Sequence, residues 1–98
     1  MRDGQNLVKG YVEKRQIKNN YLSWYIDFIN EYGELGRTLL RGNQYFDKNI
    51  ELTDEMKEHL GDVYFNILAF TNELGADAEE CLAKALAKYE RKFNENNN

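Results

Sequence analysis

The feature that most constrains the fold of this chain is a long run of apolar residues at helical spacing in a sequence without proline. Between positions 21 and 40 these side chains recur three or four residues apart, as on the buried face of an amphipathic helix. They are Tyr21, Trp24, Tyr25, Phe28, Tyr32, Leu35 and Leu39. Because proline is the strongest helix breaker, its absence favours long uninterrupted helices. We therefore predict an all-α fold.

A second helical pattern precedes this segment, over residues 5–17. The polar stretch at 18–20 interrupts it, and Asn20 has the side chain expected of an N-cap for the next helix. After residue 40 the apolar pattern stops, and residues 41–52 are predicted to form a loop. This loop contains Tyr45 and Phe46 as exposed aromatic residues.

Two more helices are predicted in the second half of the chain. Thr53 is the expected N-cap of the third, which ends near Leu74 with Gly75 as its C-terminal stop. Asp77, followed by Glu80, is expected to open the fourth. Residues 94–98 are predicted to be a frayed tail. The apolar stripe of the fourth helix consists of Cys81, Leu82, Ala85, Leu86, Tyr89 and Phe93.

Composition limits the domain count and the classes of partner. With 98 residues, 42% hydrophobic and 31% charged, residues 1–98 form one domain with a single core. A net charge of −4 argues against a nucleic acid polymer, because a phosphate-backbone binder needs a basic face. Cys81 is the only cysteine, which predicts a reducing, cytoplasmic environment. No apolar segment has the length of a membrane span, so no membrane partner is expected.

Polar residues form ridges beside the apolar stripes of three helices. Each ridge follows helical spacing along one flank. The ridges are Asp27, Glu31, Glu34 and Thr38 on the second helix, Glu55, His59, Asp62 and Asn66 on the third, and Lys84, Lys88 and Arg91 on the fourth. If the two acidic ridges and the basic ridge converge, they form one cleft at the edge of the core.

Such a cleft would suit a metal ion and phosphate. Carboxylates brought close together repel one another, and a divalent cation such as Mg²⁺ or Mn²⁺ relieves that cost. The alternative interpretation is that these charged flanks simply face water, as most do. On that interpretation His59 and Asn66 have structural roles, and Lys88 and Arg91 are solvated surface residues.

The third helix is apolar on two sides. Phe65 and Leu68 lie nearly opposite its main stripe. A helix that is apolar on two sides is usually buried on both. In a small bundle the second side most simply meets another subunit, so we predict a homodimer or a dimer of dimers, that is, a homotetramer.

Three passages resemble one known family. They are "NEYGELGRTLL" at 30–40, "KEHLGDVYFNILAFTNELG" at 57–75 and "CLAKALAKYERKF" at 81–93. They are similar to the MazG-like branch of the all-α nucleoside triphosphate pyrophosphohydrolases, whose signature is E-x-x-E followed by E-x-x-D and a basic helix. The resemblance covers roughly residues 7–93 and implies a four-helix, bundle-like MazG domain.

The resemblance also implies an activity. It would be the hydrolysis of nucleoside or deoxynucleoside triphosphates to monophosphate and pyrophosphate, for control of the nucleotide pool, with Mg²⁺ held by carboxylates. By position, Glu31, Glu34 and Asp62 match the catalytic and metal-binding acids. Lys88 and Arg91 match the basic residues expected near the phosphates.

The chain departs from the family pattern at three positions. His59 stands where a third acidic ligand is usual, Asn30 replaces a frequent glutamate, and Leu86 replaces an asparagine on the last helix. His59 can still bind metal as neutral imidazole. Glu58 lies on a less favourable side of the helix.

These departures leave other functions open. One is a catalytically weakened or inactive protein on the same scaffold that binds nucleotides or a partner. Another is a redox metal site, because helical bundles also host di-iron centres. For base stacking the candidates are Trp24, Tyr25, Tyr45 and Phe46, although each is more often packed in a core or loop.

Overall fold

The structure, a computed structural model, describes residues 3–42 and 51–96 and has four α-helices. They are α1 (Asp3–Lys14), α2 (Tyr21–Gly42), α3 (Asp54–Glu73) and α4 (Ala78–Asn96). Within these residues there is no β-strand, so the all-α prediction is confirmed. Most of the predicted 41–52 loop, with Tyr45 and Phe46, lies outside the described residues.

Three helix starts follow the predicted capping residues. The Asn20 side chain accepts a hydrogen bond from the backbone N–H of Ser23 at 2.9 Å, and the Thr53 hydroxyl accepts one from Met56 at 3.1 Å. The Asp77 carboxylate accepts bonds from the backbone amides of Glu79 and Glu80, near the start of α4. These bonds satisfy N–H groups that have no partner inside the helix.

Two predicted boundaries are wrong. The first helix ends at Lys14 rather than at residue 17, because Gln16 takes a left-handed backbone conformation with φ of 56°. Residues 94–96 of the predicted frayed tail belong to α4, and residues 97–98 lie outside the described part of the chain. A polar sequence can continue a helix that is already formed, because each added residue gains a backbone hydrogen bond.

The ends of α1 and α3 share one termination geometry. The amide of Ile17 donates to the Val12 carbonyl at 3.0 Å, and that of Ala76 donates to Thr71 at 3.1 Å. Each bond spans a residue in the left-handed backbone conformation, which is Gln16 after α1 and Gly75 (φ 72°) after α3. Glycine adopts this conformation without steric cost, whereas glutamine does not.

The core is built where α1 and α2 pack on α3. The closest packing is between α2 and α3, followed by α1 and α3. Ring contacts of Trp24 with Phe65 and of Tyr25 with Phe70, together with the pairing of Glu31 with Asp62, show that α2 and α3 run antiparallel. The central buried cluster consists of Val8, Trp24, Leu68 and Ala69.

This packing changes the expected role of the second apolar side of α3. Leu68 is only 4% exposed and Phe65 packs beside it, both within the core of the same chain. At Gly4 a Cβ atom would lie 3.1 Å from Leu68, so the absence of a side chain there lets α1 approach α3 closely. The prediction that Phe65 and Leu68 meet another subunit is therefore wrong, because α1 covers them.

The apolar stripe of α2 is buried only in part. Trp24 and Leu35 are buried, but Tyr21 and Tyr32 are exposed. Thr38, predicted on the polar flank, is 3% exposed. The buried face is thus displaced toward the polar flank, because α3 is the main helix covering α2 and the aromatic flank has no comparable neighbour among the described residues.

The fourth helix contacts the other three at its start, where Ala78 packs against the core and its backbone amide donates to Gln5. Across residues 78–96 no side chain is buried, and α4 makes only marginal contact with α1–α3. Its largest apolar side chains, Leu82, Leu86, Tyr89 and Phe93, are each about 60% exposed. Four helices are present as predicted, but within the described chain the fourth does not complete a bundle.

The two helix ends provide a matched stability test. Replacing Gly75 with alanine places a Cβ in the left-handed region and should lower the free energy of unfolding by about 1–2 kcal/mol. Within the described part of the chain, no atom beyond the two adjacent residues lies within 4 Å of the added Cβ, so the cost comes from the backbone. Gln16→Gly should raise stability by up to about 1 kcal/mol. Urea unfolding measures both, and equal losses at the two positions would contradict this account.

Candidate metal centre

Three of the predicted ligands lie together between α2 and α3. Glu31 belongs to the middle of α2, and His59 and Asp62 are three residues apart on α3. The antiparallel packing of the two helices brings one ligand atom of each to within 4.8 Å of the others. The convergence predicted for Glu31, His59 and Asp62 therefore occurs in the folded chain. We refer to these three residues as the Glu–His–Asp group.

His59 contributes a nitrogen atom without a hydrogen-bond partner. Its Nδ1 atom is buried and has no such partner among the residues described. The nearest carboxylate oxygen, on Asp62, is 4.0 Å away, which is too long for a hydrogen bond. A buried polar atom without a partner is costly, and a bound cation would satisfy it. The donor set of one imidazole and two carboxylates fits a divalent metal.

The ionised form of the Glu31 carboxyl is disfavoured in this position. Burial raises its pKa above the ordinary value of 4.5, and the negative charge of Asp62 raises the pKa further. Both effects favour a proton on Glu31 when no cation is bound. A divalent cation would compete with that proton, because it supplies the positive charge that the two carboxylates share.

Glu34, the fourth predicted ligand, makes a different interaction. Its carboxylate accepts a hydrogen bond from the guanidinium of Arg37, one turn later on α2. This hydrogen bond, with the charge of Arg37, lowers the pKa of Glu34 below 4.5. Glu34 is not a member of the Glu–His–Asp group, although its charge contributes to the raised pKa of Glu31.

Two arginines lie beside these acids. Arg37 pairs with Glu34, and Arg41 donates to the Thr38 hydroxyl at 3.4 Å. The positive charges of both arginines help to lower the pKa of Glu34. Neither arginine was predicted to be a functional residue. Their signal was the i, i+3 and i+7 spacing from Glu34 along one helix.

The two basic residues predicted to bind phosphate are in a different position. Lys88 and Arg91 are both exposed on α4, and the Lys88 ammonium lies 5.1 Å from the centre of the neighbouring Tyr89 ring. Neither is among the charges that shift the pKa of Glu31 or Glu34. The predicted convergence of the basic ridge with the acidic ridges therefore does not occur within the described chain, because α4 packs only marginally on α1–α3.

Two residues on the polar ridges have structural roles. Asn66 is buried and donates to the backbone carbonyl of Asp62 at 2.8 Å, and Thr38 donates to that of Glu34 at 3.0 Å. Trp24 is buried in the core, so of its two predicted roles the structure supports packing over base stacking.

Comparisons with known proteins identify no relative of this chain. No protein-family model matches it, and neither the curated proteins nor the solved structures contain a match. Among the helices over residues 3–42 and 51–96, none combines the length and apolarity needed to cross a membrane.

The raised pKa of Glu31 predicts a pH-dependent stability. The folded chain holds this proton to higher pH than the unfolded chain, so the associated stability is present at low pH and lost as pH rises through the folded pKa, above 4.5. Glu34 acts in the opposite sense, because its lowered pKa adds stability that is lost only as pH falls below 4.5. In a metal-free buffer, Glu31→Gln should gain stability relative to the wild type between about pH 4 and about pH 8.

Denaturant unfolding across that pH range measures the difference. Glu58→Gln is the matched control, because Glu58 is an exposed acid on α3 outside the Glu–His–Asp group. Its stability difference from the wild type should change little with pH. If the Glu31→Gln difference were equally flat, the account of electrostatic strain at Glu31 would be incorrect.

Proposed function

We propose that this chain is a divalent-metal-dependent pyrophosphohydrolase that converts nucleoside or deoxynucleoside triphosphates to monophosphate and pyrophosphate. The observation that carries the proposal is the Glu–His–Asp group, in which two carboxylates lie close to His59, whose buried Nδ1 atom has no hydrogen-bond partner among the described residues. The reaction class is inferred from the resemblance of the sequence around Glu31, Glu34 and Asp62 to the MazG-like family. Nucleotide-pool control is the corresponding cellular role.

Glu31, His59 and Asp62 would hold the metal. Mg²⁺ suits the carboxylates, and the imidazole makes the site equally suitable for Mn²⁺. When bound, such a metal polarises a phosphoryl oxygen and lowers the pKa of a bound water. The protein's own part is to keep the three ligand side chains in place on two closely packed helices.

The arginines of α2 are our candidates for phosphate neutralisation. Arg37 and Arg41 lie near the acids, whereas Lys88 and Arg91, assigned by the family resemblance, lie on the separate helix α4. A triphosphate could draw Arg37 away from Glu34, because phosphate offers the guanidinium a stronger anionic partner. The Glu34 carboxylate would then be free to join the metal ligands.

The proposed function includes a cellular compartment, a class of substrate and an oligomeric state. The single cysteine, Cys81, is free and exposed, which suits a reducing cytoplasm. Free nucleotides rather than nucleic acid polymers are the proposed substrates, because the chain carries a net charge of −4. A homodimer or homotetramer is proposed because many large apolar side chains are exposed on a single chain.

Product analysis tests the proposed reaction. With a panel of ribo- and deoxynucleoside triphosphates and Mg²⁺ or Mn²⁺, we expect monophosphate and pyrophosphate in equal amounts. Glu31→Gln and Asp62→Asn should each lower kcat/KM by about two orders of magnitude or more, because each removes a metal ligand. Glu58→Gln should keep wild-type activity, since this acid lies outside the group.

Circular dichroism would establish that each variant remains helical. Retained activity in both Glu31→Gln and Asp62→Asn would contradict the assignment of the metal ligands. Orthophosphate as the product would contradict the reaction class, because cleavage would then fall at the terminal phosphate.

The ion pair between Arg37 and Glu34 gives a separate prediction. Arg37→Gln leaves Glu34 without its guanidinium partner and should strengthen Mn²⁺ binding by about 3- to 10-fold, since the freed carboxylate becomes available to the metal. Isothermal titration measures the affinity. In the double variant Arg37→Gln, Glu34→Gln the gain should vanish, and a gain that persisted there would show that Glu34 is not the added ligand.

A second candidate function is nucleotide binding without hydrolysis on the same scaffold. Two observations favour it: Arg37 holds Glu34, and α4 keeps its basic residues apart from the Glu–His–Asp group. Saturable binding of triphosphates with no product after prolonged incubation would establish this function in place of the enzyme.

A further inference from the structure

The strongest feature outside the metal centre is an apolar stripe along α4. Leu82, Leu86, Tyr89 and Phe93 are spaced four, three and four residues apart. This is the spacing of the a and d positions of a coiled coil, so the four side chains form one seam. Each is about 60% exposed, although α4 contains some of the largest apolar side chains of the chain. A seam of this kind is the contact surface of another helix.

A groove adjoins the N-terminal half of this seam. It has a volume of about 780 Å³ and lies between α3 and α4. Leu82 and Leu86 form one wall, and Tyr64, Ile67 and Thr71 of α3 contribute to the other. The C-terminal half of the seam instead carries the aromatic side chains of Tyr89 and Phe93. One end of α4 is thus concave and the other carries protruding rings.

We propose that a second copy of this chain covers the seam, with the two α4 helices antiparallel about a twofold axis near residues 87 and 88. In that register Leu82 faces Phe93 of the partner subunit and Leu86 faces Tyr89 of the partner subunit. Both grooves receive aromatic rings at once, because a twofold interface repeats every contact. This inference deepens the self-association included in the proposed function and does not depend on the chemistry of the metal centre.

The shape of α4 and its helix dipole support the antiparallel direction. Only an antiparallel pair brings the aromatic rings at the C-terminal end of one seam to the groove beside the N-terminal end of the other. A parallel pair would also align like ends of the helix dipoles. The residues that flank the seam at its N-terminal half, Ala78, Ala83 and Ala85, are small and permit close approach.

The available area fits a dimer that also uses the groove. A buried aromatic side chain contributes roughly 150–250 Å², so four seam residues at about 60% exposure offer on the order of 400 Å² per subunit. A standard interface needs about 800 Å² per partner. The remaining area is available from the groove walls and from Tyr64, which is 59% exposed.

Sedimentation equilibrium tests the surface. The wild type should be a dimer, or a tetramer if a second interface exists. Leu86→Glu should halve the assembly mass and raise the dissociation constant at least about 100-fold, because a charge would be buried in each half of the seam. Lys84→Glu is the control, since it places the same carboxylate on the opposite face of α4. Phe93→Asp provides a second disruption at an exposed position.

The possible outcomes separate the proposals. A wild type that stays monomeric at high concentration would overturn both self-association and this interface, and would mean that some other partner covers the seam. An assembly that survives Leu86→Glu and Phe93→Asp would retain self-association but overturn the assignment to α4. Circular dichroism checks that the variants remain helical, as expected for exposed positions.

Cross-linking tests the direction of the helices. In the proposed register Cys81 lies opposite Asn94 of the partner subunit, so two copies of Cys81 are separated by about 20 Å along the axis. A short bis-maleimide should therefore leave the wild type uncoupled. It should couple Lys92→Cys, whose new thiol lies near Cys81 of the partner subunit, and Cys81→Ser should abolish that coupling. Efficient coupling of wild-type Cys81 to itself would overturn the antiparallel arrangement.

Discussion

The packing of α2 against α3 is the interaction on which the rest of the described structure depends. It buries Trp24 among residues of α3. It also forms the surface against which α1 packs with Gly4 and Val8. The same antiparallel pairing sets Glu31 opposite His59 and Asp62. Core and candidate site therefore share one helix pair, and a change in its register would move the three ligand side chains apart.

This arrangement places ionisable side chains at the edge of a small core. Only a few side chains are well buried, and none of the large ones within residues 3–42 and 51–96 falls below 2% exposure. Glu31 has a raised pKa there, and the Nδ1 atom of His59 has no hydrogen-bond partner in the described part of the chain. Groups with a shifted pKa or a missing hydrogen bond are common at functional sites, because a bound ligand can provide the charge or the hydrogen bond that the protein lacks there. The proposed metal would connect the site to the stability of the helix pair.

A single chain also leaves many large apolar side chains exposed. The seam on α4 and the aromatic flank of α2, with Tyr21 and Tyr32, remain exposed. A 98-residue chain buries a smaller fraction of its surface than a larger domain does, so association with another chain is a physically reasonable source of further stability. The antiparallel α4 pair proposed above would cover the first of these surfaces.

The sequence alone determined the local features of this protein. The capping side chains of Asn20, Thr53 and Asp77 and the stop at Gly75 act through hydrogen bonds to the neighbouring backbone, so nearby residues suffice to predict them. Helical spacing likewise placed His59 and Asp62 on one ridge of α3, since residues three apart share a helix face.

Only the tertiary structure decided which ridges meet. It joined Glu31 to His59 and Asp62, paired Glu34 with Arg37, and left Lys88 and Arg91 on a helix that packs only marginally on the others. It also covered Leu68 with α1, although the sequence suggested a second subunit there. Helical periodicity gives the direction of a side chain around its own axis. The neighbour that it meets depends on the packing of separate helices, for which a single sequence carries no local signal.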